Sequence, residues 1–128
     1  MIDFTSIHLL YHNIMLVIKL FSAKEKNMEI SIKKSGKNMV VKPIGRLDSN
    51  TAPEMEKEVL TKLDGITDLQ FDLSELKYMS SAGLRIILSC QKKINSVSGT
   101  MVLKHVNDLI MEILEATGFK DIVKVEND

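Results

Sequence analysis

Residues 69–84 read LQFDLSELKYMSSAGL, an apolar stretch, a polar connection and the start of an amphipathic pattern. Residues 69–73 are typical of a short buried strand, and residues 74–80 are predicted to form a loop. Residues 82–95 place apolar side chains three and four positions apart, as on one side of a helix. A strand followed by a helix is the repeating unit of α/β folds, so this stretch predicts an α/β domain.

The alternation of strands and helices extends upstream of this stretch. Residues 29–33 alternate polar and apolar side chains, residues 35–38 have turn chemistry, and residues 39–44 return as the second strand of a hairpin. Pro43 cannot donate to a strand ladder, which predicts an edge or bulge position. A helix is predicted for residues 51–63, where Thr51 and the glutamate three positions later have the spacing of a capping box.

Downstream, the pattern continues to the end of the chain. Residues 100–104 and 121–125 are predicted strands, and the helix between them starts at Asn107 and stops at Gly118. The predicted order is β-β-α-β-α-β-α-β. Because strands separated by helices are usually parallel neighbours and the opening hairpin is antiparallel, we expect a mixed sheet with helices packed against it.

Composition restricts the classes of function. The chain has 128 residues, which fits one domain, and 45% of them are hydrophobic. Seventeen basic and seventeen acidic residues cancel, so the positive field of a nucleic-acid binder is missing. A single cysteine excludes an internal disulfide, a thiolate zinc cluster and a CxxC redox pair. We expect no metal site, no direct nucleic-acid partner and a cytoplasmic location.

Residues 1–27 differ from the rest of the chain. Their apolar stretch, residues 7–21, is shorter and more polar than a membrane-spanning helix and is a poor signal peptide, so we expect no membrane insertion. The segment is either a loosely docked terminal helix or strand, or an extension upstream of a physiological start at Met28. We favour the second interpretation because the regular pattern begins at Met28, which predicts an extension over 1–27 and a domain over 28–128.

Two short segments follow predicted strands, at the sheet edge where open α/β folds bind ligands: residues 46–49 and 80–83. Ser81 stands where a helix should begin, so the simplest interpretation is an N-cap, a role that Ser80 could also fill. A helix N-terminus also tolerates added negative charge, so a phosphate on Ser81 could leave the fold intact and obstruct a docked partner. Gly83 would either permit close approach of another surface or serve tight packing of helix on sheet.

The residues give little support for an enzyme. The Gly-x-Ser-x-Gly elbow is absent because Met79 stands two residues before Ser81, and no glycine-rich phosphate loop occurs. His105 is the only histidine in the regular part of the chain, and its spacing does not connect it to Ser81. Cys90 is expected to be a small core residue. We therefore predict no catalytic residues.

Four blocks resemble the STAS domain, and within it the bacterial anti-sigma factor antagonists. They are GRLD at 45–48, FDLS at 71–74, YMSSAGL at 78–84 and TGF at 117–119, and the resemblance covers about residues 28–125. It implies a protein that binds an anti-sigma factor, itself a serine kinase, and so releases a sigma factor. Phosphorylation of a serine at the start of the second helix would end that binding, and a serine phosphatase would restore it.

Mapped onto this sequence, the resemblance implies that Ser81 is the phosphate acceptor. Ser80 stands where many members have aspartate, so it is the alternative acceptor. The implied partner-binding face consists of Asp48, Ser49, Met79, Ser80, Ser81, Gly83 and Leu84. No cofactor of its own is implied, since ATP enters through the partner kinase.

Two other functions stay open at this point. One is a STAS-like structural subunit of a lipid-transport or stress-sensing assembly, working without phosphorylation. The other is a small-ligand or hydrolytic α/β domain that uses Ser81.

Overall fold

The computed structural model describes residues 10, 12–14 and 28–127, and the first four of these residues are helical. The two interpretations of residues 1–27 depend on positions outside the described residues and stay predictions. The elements of the regular part are, in chain order, β1 (Met28–Ser35), β2 (Asn38–Leu47), α1 (Ala52–Leu60), β3 (Asp68–Asp72), β4 (Leu76–Met79), α2 (Ser81–Ser96), β5 (Thr100–Lys104), α3 (Asp108–Thr117), a 3-10 helix (Phe119–Asp121) and β6 (Lys124–Glu126).

Within residues 28–127 the strands form one mixed sheet. Its order is β1-β2-β3-β5-β6, and β4 also pairs with β2. The β1–β2 pair is antiparallel and every other pair is parallel. The predicted mixed α/β sheet with an antiparallel opening hairpin is confirmed.

The core lies on one face of this sheet. Strand pairing aligns the most buried side chains in two rows, Met39, Leu69 and Met101 in one and Val41, Phe71 and Leu103 in the next. The alternate residues Val40, Gln70 and Val102 point the other way and are only half-buried. Buried residues of α1 and α2, among them Met55 and Ile87, complete the same core. The helices therefore cover one face, as expected for strands with a two-residue period.

A short strand replaces most of the predicted loop 74–80. Residues 76–79 form β4, which runs parallel to residues 45–47 at the end of β2. The ten-residue strand β2 thus has two successive partners along one side, β3 at its start and β4 at its end. Pro43 lies in the gap between these two partners, so its missing N–H falls where the ladder is already interrupted. As a result, β2 and β4 end side by side.

Two predicted elements end differently in the structure. Helix α1 stops at Leu60 rather than at residue 63. The N–H groups of Lys62 and Leu63 donate to carbonyl oxygens only three residues earlier, and not four as in an α-helix. The predicted strand 121–125 is wrong in its first half. There the 3-10 helix ends at Asp121 and a turn follows, in which the N–H groups of Ile122 and Val123 both donate to Phe119 O.

Both predicted ends of α3 are confirmed. The Asn107 side-chain oxygen accepts a hydrogen bond of 2.8 Å from the N–H of Ile110. Gly118 ends the helix with φ +78°, a left-handed conformation that favours glycine.

The connection from β2 to α1 is built on Asp48 and Thr51. The predicted capping box is wrong, because the Thr51 hydroxyl turns back towards β2: it donates to Arg46 O at 2.8 Å and accepts from Asp48 N at 2.9 Å. Asp48 instead organises the turn, and its Oδ1 accepts from the N–H of Asn50 at 2.9 Å and of Thr51 at 3.1 Å. The hydrogen bond from Asn50 is the main reason that the pKa of Asp48 lies below its ordinary value.

The lowered pKa predicts a pH-dependent contribution of Asp48 to stability. A carboxylate whose pKa is lowered by folding stabilises the folded state at pH values above its ordinary pKa of 3.8. That stabilisation is lost as the pH falls through the pKa of the folded state. We expect Asp48→Asn, which keeps an acceptor oxygen, to be less stable than the wild type at pH 7 and to approach it towards pH 3. Urea unfolding across this range measures the difference. Asp48→Ala is the companion variant. Because it has no acceptor oxygen, its free energy of unfolding should stay partly below that of the wild type in acid. If the difference in free energy of unfolding between Asp48→Asn and the wild type became larger in acid, the stabilising role of the ionised Asp48 carboxylate would be contradicted.

Gly83 lets α2 approach the sheet closely. A Cβ built on Gly83 would lie 2.7 Å from Leu47 Cγ and 2.9 Å from Met79 Cγ, closer than side-chain carbons normally pack. Leu47 and Met79 are the last residues of the two adjacent strands, so the first turn of α2 rests directly on their ends. Of the two roles proposed for Gly83, tight packing of helix on sheet is the one that the structure supports.

Substituting Gly83 should therefore destabilise the fold. We expect Gly83→Ala to lower the free energy of unfolding by about 1 to 2 kcal/mol, because the overpacking cost exceeds the gain in helix propensity. The same substitution in a Leu47→Ala background should cost less, since one of the two clashing side chains is then gone and only the contact with Met79 stays. Chemical denaturation of the four proteins of this cycle measures both values. A Gly83→Ala protein as stable as the wild type would refute the close-packing role.

Candidate functional site

The two segments that the sequence singled out meet at one end of the sheet. Leu47 and Met79 are paired in the parallel β2–β4 ladder, and the N–H of Ser80 donates to Leu47 O at 2.9 Å. Asp48 begins the connection to α1, and Ser81 begins α2. The segments 46–49 and 80–83, which are more than thirty residues apart in sequence, are therefore neighbours at the carboxyl ends of two adjacent strands.

Ser80 and Ser81 have opposite environments. Ser80 has the extended backbone of an N-cap residue (φ −92°, ψ 177°), but its side chain does not cap the helix, and Oγ is buried with no hydrogen-bond partner. Ser81 is the first residue of α2 and is exposed. The prediction that the Ser81 side chain caps the helix is wrong, because the helix begins at Ser81 itself. Of these two adjacent serines, Ser81 is the exposed one.

The start of α2 favours negative charge. The first N–H groups of a helix have no partner within the helix, and the aligned peptide dipoles place partial positive charge there. The first turn of α2 contains no acidic residue and no side-chain cap that would already satisfy these groups. A negatively charged group on Ser81 would therefore meet favourable electrostatics at this end of the helix.

The Asp48 turn provides the second part of the site. Its carboxylate is ionised at neutral pH, and hydrogen bonds, above all from Asn50, lower its pKa further below the ordinary value. Ser49 and Asn50 are exposed at the tip of the turn, whereas Thr51 is 9% exposed and fixes the turn from beneath. This turn therefore places one fixed negative charge beside the N-terminus of α2.

Three residues of the implied partner-binding face lie below the surface. Met79 and Leu84 are 1% and 3% exposed, and Gly83 packs against Leu47. They offer no accessible side-chain surface to a partner, because they are packed between α2 and the strand ends. They support the face, and the surface itself is formed by Ser49 and Ser81, which are exposed, together with Asp48 and Ser80, which are half-buried.

Sequence reasoning gave no separate role to two arginines near this surface, Arg46 within the predicted segment 46–49 and Arg85 on α2. The Arg46 guanidinium stacks 4.5 Å above the centre of the Tyr78 ring, and the β2–β4 register places these two residues opposite each other. Since the predicted loop 74–80 concealed β4, this pair could not be foreseen. Arg85 lies one turn beyond Ser81 on α2, a spacing that is visible in the sequence.

A shallow groove of about 340 Å³ runs between α1 and α2 beside Ser81. Its lining is mostly uncharged, with one acidic and one basic residue. Its lining residues are Ser49, Ala52, Pro53, Glu56, Ala82, Arg85, Ile86 and Ser89. Ser49 thus joins this groove to the Asp48 turn.

The described residues offer little for catalysis or metal binding. Cys90 is fully buried, as expected, and burial raises the pKa of its thiol to about 12, so it stays protonated. Among residues 28–127 and the four described positions before them, no three His, Cys, Asp or Glu side chains are grouped so as to hold a metal ion. None of the described helices has both the length and the apolar character needed to cross a bilayer.

Comparison with known proteins places this geometry in a family. The STAS domain family matches residues 29–128. A protein of Staphylococcus aureus strain NCTC 8325 named anti-sigma-B factor antagonist is 36% identical over 101 residues, which are 77% of this chain and 93% of the relative.

Solved structures share the fold. The anti-sigma factor antagonist SpoIIAA in its unphosphorylated form superposes with a TM-score of 0.71 at 14% identity, covering 78% of this chain and 88% of SpoIIAA. The Bacillus cell fate determinant SpoIIAA in the phosphorylated form has a TM-score of 0.65 at 14% identity, covering 78% and 91%. The sequence matches and the shared fold lead to one conclusion: the chain belongs to the STAS domain family.

Proposed function

We propose that this protein is an anti-sigma factor antagonist whose binding is switched by phosphorylation of Ser81. In the unphosphorylated state it binds an anti-sigma factor in the cytoplasm and so promotes transcription that depends on the released sigma factor. The observation that carries the proposal is the exposed Ser81 hydroxyl at the first residue of α2, beside the Asp48 turn. Sequence relatives named anti-sigma-B factor antagonist support the same class of partner.

In this mechanism the protein is a binding module and not an enzyme. The partner anti-sigma factor is also the serine kinase, it supplies ATP, and a separate serine phosphatase removes the phosphate. A phosphate on Ser81 adds about −1.5 to −2 charges beside the ionised Asp48. Like charges at the centre of a small face oppose docking of any surface that fits the unmodified serine. SpoIIAA, a structural neighbour, is described in both unphosphorylated and phosphorylated forms, which supports the switch.

The structure favours Ser81 over the alternative acceptor Ser80. A kinase must bring the acceptor hydroxyl in line with the γ-phosphate, which requires an accessible oxygen. Ser80 Oγ is buried, and its backbone N–H is held by Leu47 O, so exposing it would require opening the start of α2.

Phosphosite mapping tests the assignment. After incubation with the cognate anti-sigma factor and ATP, peptide mass spectrometry should find one phosphate on Ser81. Ser80→Ala is the matched control and should still be phosphorylated, whereas Ser81→Ala should not be. Phosphate on Ser80 in the wild-type protein, or unchanged phosphorylation of Ser81→Ala, would move the switch away from Ser81.

A charge at position 81 should weaken binding of the anti-sigma factor. We expect Ser81→Asp to lower the affinity at least about tenfold, equivalent to roughly 1.4 kcal/mol, because the new carboxylate lies beside Asp48 at the binding face. Calorimetric titration of the purified partner measures the dissociation constant.

Ser35→Asp provides the control for this measurement. It places the same charge at the exposed last residue of β1, about 30 Å from the far end of β2. Its affinity should equal that of the wild type. Equal losses in both variants, or no loss in Ser81→Asp, would speak against a binding face at Ser81.

A further inference from the structure

We propose that Arg85 binds the phosphate of phosphorylated Ser81 within the same chain. The proposal rests on the proposed function, because that function supplies the phosphate. Ser81 and Arg85 are the first and fifth residues of the continuous 16-residue helix α2, and both are exposed. Residues four apart on a helix lie one above the other on the same side, within reach of a long side chain.

The order of the two charges is the favourable one. A negative residue four positions before a positive residue stabilises a helix more than the reverse order does, and here the negative group would lie at the positive N-terminal end of the helix dipole. A phosphoserine has three acceptor oxygens, and the planar guanidinium of arginine can donate two parallel hydrogen bonds to such a group. Ser81 and Arg85 therefore provide both the spacing and the orientation that a phosphate–arginine pair requires.

Arg85 has no competing partner in the described part of the chain. It takes part in none of the ion pairs found among residues 28–127, although Glu56 lines the same groove from α1. The other arginine near the site, Arg46, is already stacked on Tyr78. Arg85 is thus the basic side chain that remains open one turn from the acceptor serine.

Binding of the phosphate would also change the groove between α1 and α2. In the unmodified protein the Arg85 side chain lines this groove and brings its only positive charge. Once paired with the phosphate, that charge is neutralised. Phosphorylation would then act twice on the same surface, by adding negative charge at Ser81 and by removing positive charge from the groove.

Phosphorus NMR on the full chain tests the pairing directly. Phosphoserine is introduced at position 81 by genetic incorporation, and the phosphate resonance is titrated in the wild-type background and in Arg85→Gln. We expect the second ionisation constant of the phosphate to be at least about twofold larger with Arg85 present, because a neighbouring guanidinium favours the dianion. The other charged groups nearest to this end of α2, Asp48, Glu56 and Arg46, are the same in both proteins.

Two further variants make the result decisive. Lys92→Gln removes the same charge about three turns beyond Ser81 and should titrate like the wild type. Arg85→Lys keeps the positive charge without the planar guanidinium. Its phosphate ionisation constant should lie between those of the wild type and Arg85→Gln. Identical titrations of wild type and Arg85→Gln would overturn the proposal, as would an equal shift in Lys92→Gln.

The experiment separates this proposal from the proposed function. It needs neither the kinase nor the anti-sigma factor, so a shift that depends on Arg85 supports the pairing even if no such partner binds the protein. Conversely, loss of anti-sigma factor binding in Ser81→Asp together with an unchanged titration in Arg85→Gln would leave the switch in place and refute the role of Arg85.

Discussion

The hydrogen bond from the N–H of Ser80 to Leu47 O joins the ends of two neighbouring parallel strands, and the position of the whole candidate site depends on it. It extends the β2–β4 ladder by one step and so sets where α2 begins. Gly83 then allows the first turn of α2 to rest on Leu47 and Met79 with little space between them. The site is therefore an extension of the core: buried residues fix the place where an exposed hydroxyl appears.

The place where α2 begins gives the two adjacent serines different environments. The extended backbone of Ser80 directs its oxygen into the protein, where it has no partner, and the next residue opens onto solvent. Because neither side chain caps the helix, the amide groups at its start remain available for a negative group. The same local geometry thus explains why Ser81 can accept charge and why the fold should tolerate it.

Much of this architecture could be predicted from periodicity, but the details of the site could not. The mixed sheet and the ends of α3 at Asn107 and Gly118 follow from local patterns and were predicted correctly. Strand β4 was missed because four residues with one tyrosine and one lysine carry too weak an alternation to distinguish them from a loop. Because the predicted fold lacked β4, the β2–β4 pairing that places Arg46 beside Tyr78 could not be predicted either.

For the predicted partner-binding face, sequence spacing places the two segments at neighbouring strand ends. Which of their side chains reach the surface depends on tertiary packing, which buries Met79, Gly83 and Leu84. The capping prediction at Thr51 failed because a threonine before a helix can bond equally well to other backbone groups, as Thr51 does with Arg46 O. The capping prediction at Ser81 failed because the helix begins at Ser81 itself.

The central claim is that charge added at Ser81 changes a surface without disturbing the fold beneath it. The most direct test compares amide NMR spectra and thermal unfolding of the protein before and after phosphorylation at Ser81. Our account predicts chemical-shift changes confined to residues 46–51 and the first two turns of α2, with a melting temperature that is unchanged or higher. Shift changes that spread through β3 and β5, or a lower melting temperature, would contradict it.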